Sequence, residues 1–284
     1  MLIETRSHRL ASPLAGSCAT IWHRPWAATV AVLLQGAVLA LILFYLVLPT
    51  LVILPISLGT ANHIEFPPRQ LTLHWYREYL SDPDWMAATW FSLKIALATS
   101  LAATVIGTLA AIALTRGDLP GKQALQALSL GPMVVPHVVF GVALYLIFAP
   151  LELTGNFVGF LLAHTVLAVP YVLITVTAAL QRFDFTLELA ALSCGASRTR
   201  SFLLIVLPNI SPSVAVAAVF AFLSSFDEAT VAFFISDTGG KTISRKMFED
   251  IDFNLTPVIA AVSTLLAGVS LLLMAAIRAT TRQH

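Results

Sequence analysis

The sequence predicts an all-α membrane protein of six transmembrane helices, with a cytoplasmic helix-turn-helix loop between the fourth and the fifth. Three observations predict it. Only 11% of the 284 residues are charged and 58% are hydrophobic, against about 25% charged in a soluble domain, so there is too little polar surface to cover a water-soluble globule. The apolar residues fall into six runs, each long enough to cross a hydrocarbon layer of roughly 30 Å as a helix. One long stretch of mixed polarity, Glu188 to Pro212, sits between two such runs.

Residues 1–26 form a polar tail with Arg6, His8, Arg9, His23 and Arg24. The apolar run that follows, about 27–57, is too long for a signal-peptide core and lacks a small-residue cleavage site, so it reads as a retained first span. Trp22 and Trp26 suit the membrane interface, and Pro49 and Pro55 bend its outer end. Residues 58–85 are a polar connection in which His74 to Tyr79 makes a short interfacial helix. The second span, about 86–114, carries one charge, Lys94. After a short loop from Arg116 to Lys122, the third span covers about 125–148 and contains Pro132, Pro136 and His137. The fourth, about 155–180, contains His164 and Pro170. Ser211-Pro212 opens the fifth span in the cap-then-proline order of a helix start, and the span runs to about Ile235. A polar loop, about 236–256, precedes the sixth span, about 257–279.

Six spans place both termini on one side of the membrane. Ten Lys and Arg residues lie on that side and five on the other. The positive excess goes inside, so both termini and the loop at 181–210 are expected in the cytoplasm. A net charge of +1 argues against a nucleic-acid partner. Cys18 and Cys194 both fall on the cytoplasmic side, which argues against a disulfide framework, and no metal-ligand spacing is present.

Within the mixed stretch, Leu187 to Ser193 carries Ala190 and Ala191, strong helix formers with little bulk. Phe202, Leu203, Ile205 and Val206 make an apolar stripe at helical spacing. Between them Gly195 can take a turn conformation that other residues resist, and Pro208 cannot extend the second helix. The expectation is a helix-turn-helix across the membrane face, open to close approach at its alanines.

This stretch resembles the cytoplasmic loop signature of permease subunits of ATP-binding-cassette importers: Glu-Ala-Ala, three residues, Gly, nine residues, Ile, one residue, Leu-Pro. Ala190, Ala191, Gly195, Ile205, Leu207 and Pro208 fall in register. The acid does not. Leu189 stands at the family's Glu position and Glu188 is one place earlier, which turns the charge by about 100° around the helix. Ser225-Phe-Asp-Glu228, the run from Asp250 through Pro257 to Ala261, and Ala163-His-Thr-Val-Leu-Ala-Val-Pro170-Tyr look like the branch serving spermidine and putrescine. The similarity covers about residues 30–280.

The resemblance implies the type I ABC importer permease fold, a tail at 1–26 and a transmembrane permease domain at 27–284 with its coupling loop at 181–210. It implies a bacterial inner-membrane location. The implied partners are an ATPase dimer, a second permease subunit, a periplasmic solute-binding protein and membrane lipid, with no nucleic acid. ATP would be used by the ATPase and no cofactor held by this chain. Glu188, Ala190, Ala191, Gly195, Ala196, Ile205, Leu207 and Pro208 would couple the loop to the ATPase. The cargo implied is a small cationic solute such as a polyamine, or another small solute in the same machine.

The chain carries no catalytic apparatus of its own. It has no Gly-x-x-x-x-Gly-Lys-Ser/Thr phosphate loop, no Gly-x-Ser-x-Gly elbow and no His-Glu-x-x-His pair. Asp227-Glu228 is the sharpest intramembrane feature, since a charge at mid-bilayer costs roughly 2.5–3.5 kcal/mol on an insertion scale. Asp227 lies roughly 12 Å from the outer end of its span at 1.5 Å per residue, and Lys94 enters from the same side. The acids could line the path of a cation, together with Lys94 and His137, form a structural ion pair with Lys94 across the bundle, or mark a helix break near a water-filled vestibule. Adjacent residues on a helix point about 100° apart, so one of the two acids is expected to face the path. His137 and His164 each read more readily as hydrogen-bonded to a neighbouring helix than as a ligand of the solute. An ion-coupled secondary transporter, with Asp227, Glu228 or His137 as proton site, is the competing class; those folds usually show internal repeats, and none is visible here. A purely structural or receptor-like membrane subunit is the other.

Overall fold

A computed structural model of the chain describes residues 25–237, 239–253 and 256–281. The expected tail with Arg6, Arg9 and Arg24 lies outside the described residues, as do Asn254, Leu255 and Arg282. The chain divides into two compact units, residues 1–51 and 52–284. The first contains most of helix α1 (Pro25–Ser57). Every side chain from Thr29 to Leu51 is exposed, and the helix is apolar all round, as suits a helix in lipid.

The second unit is built on three helices that pack on one another most extensively: α3 (Pro83–Arg116), α6 (Phe157–Arg182) and α9 (Leu207–Phe226). Small residues line the seam, among them Ala103, Gly107 and Ala111 on α3, Ala168 on α6, and Ala217 and Ala221 on α9. Such residues let membrane helices approach closely. At Gly107 an added Cβ would meet the Val172 side chain at 2.7 Å, so the α3–α6 contact leaves no room for one. The Ser100 hydroxyl donates across the bundle to the Ala218 carbonyl at 2.7 Å.

The remaining elements surround this core. Asp82 caps α3 by accepting from Asp84 N and Trp85 N, with Pro83 at the first helical position. The expected interfacial helix forms as α2 (His74–Ser81), which buries Trp75 and Tyr79. Trp85, Ile243, Val258 and Val262 complete that outer cluster.

Among the described residues, five helices are long and apolar enough to cross a membrane, and a bent pair is the sixth candidate. That pair departs from the sequence expectation of one third span. α4 (Lys122–Val134) and α5 (His137–Phe148, continued by a short 3-10 turn to Leu151) meet at 102°. The cause is Pro136, which pushes Val135 into an extended conformation, φ −73° and ψ 128°.

The expected polar loop at 236–256 holds a helix, α11 (Ile243–Phe253). Pairs four residues apart, Arg245–Glu249 and Lys246–Asp250, brace it, and the Ser92 hydroxyl accepts from Ile243 N at 2.8 Å. α12 (Val258–Thr281) closes the described chain.

The fifth span differs most. It does not open at Ser211-Pro212 and Pro208 does not stop the preceding helix. α8 (Arg198–Ser201), a π turn (Phe202–Val206) and α9 run on as one helix from Arg198 to Phe226. In the wide turn Leu207 N bonds to Phe202 O, five residues back, which gives the Pro208 ring the room an α-turn denies it. The Pro208 carbonyl, left without a donor by Pro212, accepts from the Ser211 hydroxyl at 2.8 Å. The span then breaks after Phe226 and resumes as α10 (Thr230–Ile235).

Candidate functional site

Two interruptions of the helical chain carry the polar chemistry, one at each end of the Arg198–Phe226 helix. The first is the elbow. Asp184 Oδ1 accepts from Thr186 N at 2.9 Å and starts α7 (Thr186–Ser193). That backbone bond, with a second from the Thr186 hydroxyl, holds the Asp184 carboxyl below its usual range. α7 ends in a left-handed turn: Gly195 has φ +86°, and Ala196 N reaches back to Ala191 O at 3.0 Å, the six-to-one bond of a Schellman cap. The Ser197 hydroxyl then accepts from Arg200 N at 3.3 Å and caps α8.

The elbow presents an open surface. Leu187, Leu189 and Ala190 are exposed on α7, and Leu189, at the signature's acid position, is 62% exposed. Pro208, Arg198 and Arg200 are also exposed, while Ala191, Ala196, Ile205 and Leu207 are half-buried. Val206 and Ile210, which the motif does not name, are buried in the core.

Glu188 turns the other way. Its carboxylate lies 2.9 Å from the Arg116 guanidinium at the end of α3, in a pair about four-fifths buried. Arg116 also stacks over Phe185, at 5.0 Å, and Phe183, at 5.9 Å. In the sequence Arg116 is an ordinary loop residue; no local pattern announces this partner.

The second interruption is the Asp227–Ala229 break. Glu228 folds inward. Its Oε1 accepts from Val231 N at 2.9 Å, capping α10, and its Oε2 lies 3.2 Å from His137 Nδ1. His137 is the first residue of α5, directly after the Pro136 bend. One carboxylate therefore ties together the two broken helices, beside two N-terminal ends where negative charge is favoured. Just before the break, Ser225 Oγ lies 2.8 Å from Nδ1 of the fully buried His164, which holds the end of α9 to α6. His164 thus reads as the core residue the sequence suggested.

Asp227 is exposed and lines a cavity of about 420 Å³ with Ser244, Met247, Phe248, Ser263 and Ser270, between the break, α11 and α12. The ion pair envisaged between Lys94 and the acids does not form. Lys94 is exposed on the outer stripe of α3 with Trp90, Leu97 and Leu101, while its neighbours Ile95 and Ala96 pack inward. His137 takes the place expected for it. Of the four candidate path residues, the structure brings His137 and Glu228 together and leaves Lys94 apart from both acids.

A protein-family model described as the binding-protein-dependent transport system inner membrane component matches residues 103–280, a stretch that contains the elbow and both broken helices. The putrescine transport system permease protein PotI of Escherichia coli (strain K12) is 32% identical over 201 residues, which cover 68% of this chain and 72% of that one. The spermidine/putrescine transport system permease protein PotC of Haemophilus influenzae (strain ATCC 51907 / DSM 11121 / KW20 / Rd) is 28% identical over 251 residues, 88% of this chain and 97% of that one. Among solved structures, a chain of a bacterial ABC transporter involved in the import of the acidic polysaccharide alginate shares the fold, with a TM-score of 0.70 at 12% identity, covering 89% of this chain and 96% of that chain. The chain is a component of a transporter rather than an enzyme, and it belongs to the inner membrane components of binding-protein-dependent transport systems, the permease subunits of ATP-binding-cassette importers.

Proposed function

We propose that this chain forms half of the membrane path for a polyamine of the putrescine and spermidine type, driven by ATP hydrolysis on a separate ATPase dimer that docks against the elbow. A second permease subunit completes the path, and a periplasmic binding protein delivers the solute from the outer face. The termini and elbow are cytoplasmic in this reading, in keeping with the excess of Lys and Arg on that side.

The observation that carries the proposal is the continuity of one helix. From Arg198 at the elbow to Phe226 at the break there are 29 residues without interruption, roughly 43 Å at 1.5 Å per residue. A displacement imposed on α7 turns through Gly195 into a lever whose far end carries Asp227. The exposed apolar residues Leu187 and Leu189 give the ATPase a surface to seat on. Ala190 and Ala191 let it approach, and Gly195 and Ala196 form the pivot. Ile205, Leu207 and Pro208 set the wide turn that keeps elbow and span one body.

At the far end, Asp227 offers a carboxylate to a cationic solute, and Glu228 with His137 holds the break in shape. The cargo is supported by that acid and by the names of the relatives. Lys94, a cation exposed on α3 away from both acids, is the weakest of the four path candidates in this reading.

The test is reconstitution in proteoliposomes of this chain with its second permease, ATPase and binding protein. Uptake of labelled putrescine that requires ATP and all four components is expected. Uptake by this chain alone, driven by an ion gradient, would place it among secondary transporters instead.

A further inference from the structure

The displaced acid of the elbow has found a partner inside the chain. Glu188 is in the first turn of α7, and Arg116 is the last residue of α3. Their side chains meet at 2.9 Å with exposures of 18% and 20%, so the charges are shielded from the screening that weakens surface pairs. The guanidinium is stacked over Phe185 and Phe183, which lead from α6 into α7, and stacking of this kind favours Arg over Lys. By contrast Leu189, one residue on, faces outward. The shift of the acid by one place therefore takes the charge off the surface offered to a partner and sets it against α3.

We propose that Arg116 and Glu188 form an internal clamp that makes α3 move with α7, so that the ATPase stroke reaches all three core helices and not only the two that the chain joins to α7. This rests on the permease reading above. The chain joins α7 to α6 through residues 183–185 and, through Gly195, to α8 and α9. The glycine there has open space around it, and alone it would let α7 swivel. The clamp supplies a third, non-covalent attachment, to the helix that packs against both α6 and α9. Arg116 is thus a positioning residue, acting through Glu188, and need not touch ATPase or solute.

The experiment uses the four-component transporter in proteoliposomes and reads solute moved per ATP hydrolysed. R116Q and E188Q are each expected to lower that ratio at least fivefold, and the exchanged pair R116E/E188R to return it to within twofold of wild type. A second readout is the distance distribution between spin labels on native Cys194, which is exposed, and D118C, in a chain with C18S. It is expected to broaden in R116Q and to narrow again in the exchanged pair. If R116Q fails to accumulate, E188Q and the exchanged pair carry the same expectations. The proposal is overturned if the single variants keep the wild-type ratio or an unchanged distance distribution. It is equally overturned if only E188Q is impaired, which would set the acid against the ATPase, or if the exchanged pair is as poor as the single variants. Absence of ATP-dependent uptake by the wild-type assembly would sink the permease reading itself, a result distinguishable from normal uptake with indifferent variants.

Discussion

Gly195 and Glu228 each stand where a helix is interrupted, and they do so by different physics. At the elbow the backbone makes the turn: φ is +86° and nothing lies within 4 Å of where a Cβ would be. At the break there is no glycine, and a buried side chain makes the turn by capping α10 and holding His137. The elbow is exposed along Leu187, Leu189 and Ala190, while the break is packed against α5 and α6. A joint that must accept a partner is encoded by conformational freedom and left open. A joint that must keep a carboxylate inside the membrane is encoded by its partners and closed.

The contrast can be broken most directly at Glu228. Glu228→Ala removes a helix cap and leaves the His137 ring without its acid, which should cost about 3 kcal/mol. For a unit of this size that corresponds to a fall in thermal midpoint of roughly 6–12 °C in detergent. Asp227→Ala, at an exposed position, should cost less than about 0.5 kcal/mol. Equal midpoints for the two variants would show that the break does not depend on the inward acid.

The elbow should answer differently. Gly195→Val forces a β-branched residue into the left-handed region at about 1–3 kcal/mol, with no neighbour to clash against. Accumulation in the membrane should be normal and ATP-driven uptake should fall about tenfold. Gly195→Asn, which tolerates that region, should transport within about twofold of wild type. If Asn is as damaging as Val, the elbow needs the absence of a side chain and not the conformation.

This difference also explains what was legible in the sequence. Gly195 and the helices either side of it could be read because a left-handed turn after Ala190, Ala191 and Ser193 is a local property. The apolar runs could be read for the same reason, since length and composition alone decide which helices can cross a membrane. The bend at Pro136 fell inside a run that composition presents as a single span, while a helix break was one of the readings that the acid pair Asp227-Glu228 left open. Proline marks a possible bend but its angle is set by packing, and Glu228 caps α10 only because the chain folds back within reach of His137. Pro208 misled because the π turn that accommodates it is invisible in residue types. α11 was readable in principle: Arg245–Glu249 and Lys246–Asp250 are four apart, a helical signature hidden by the polarity of the stretch. Arg116 had no signal, since its partner lies far along the chain.

A subtler test separates the two acids of the break by function rather than stability. Asp227→Asn removes the charge that faces the cavity and should raise KM for a dicationic solute about fivefold, the equivalent of about 1 kcal/mol. Glu228→Gln keeps the cap acceptor and should change KM less. The reverse order would mean that the outward acid is bystander to the path and that the inward one reaches it when the break opens.

The smallest effect belongs to the start of the elbow. Asp184 is held below the ordinary carboxylate range by the Thr186 backbone N–H, so its ionised form is the one that stabilises the first turn of α7. A group whose folded value is depressed contributes above its unfolded value, and that contribution is lost as pH falls through the folded one. In wild-type protein, hydrogen-exchange protection of the first amides of α7, corrected for intrinsic rates, should therefore be constant near neutrality and decline only in acid. Asp184→Ala should show the lower protection at neutral pH and no further decline, the two proteins converging in acid. The same substitution should leave the thermal midpoint where it is, because the capping bond is solvent-exposed and local. A parallel acid decline in the variant would mean that another carboxylate governs the turn, and Glu188, held to Arg116, is the one within α7 that could.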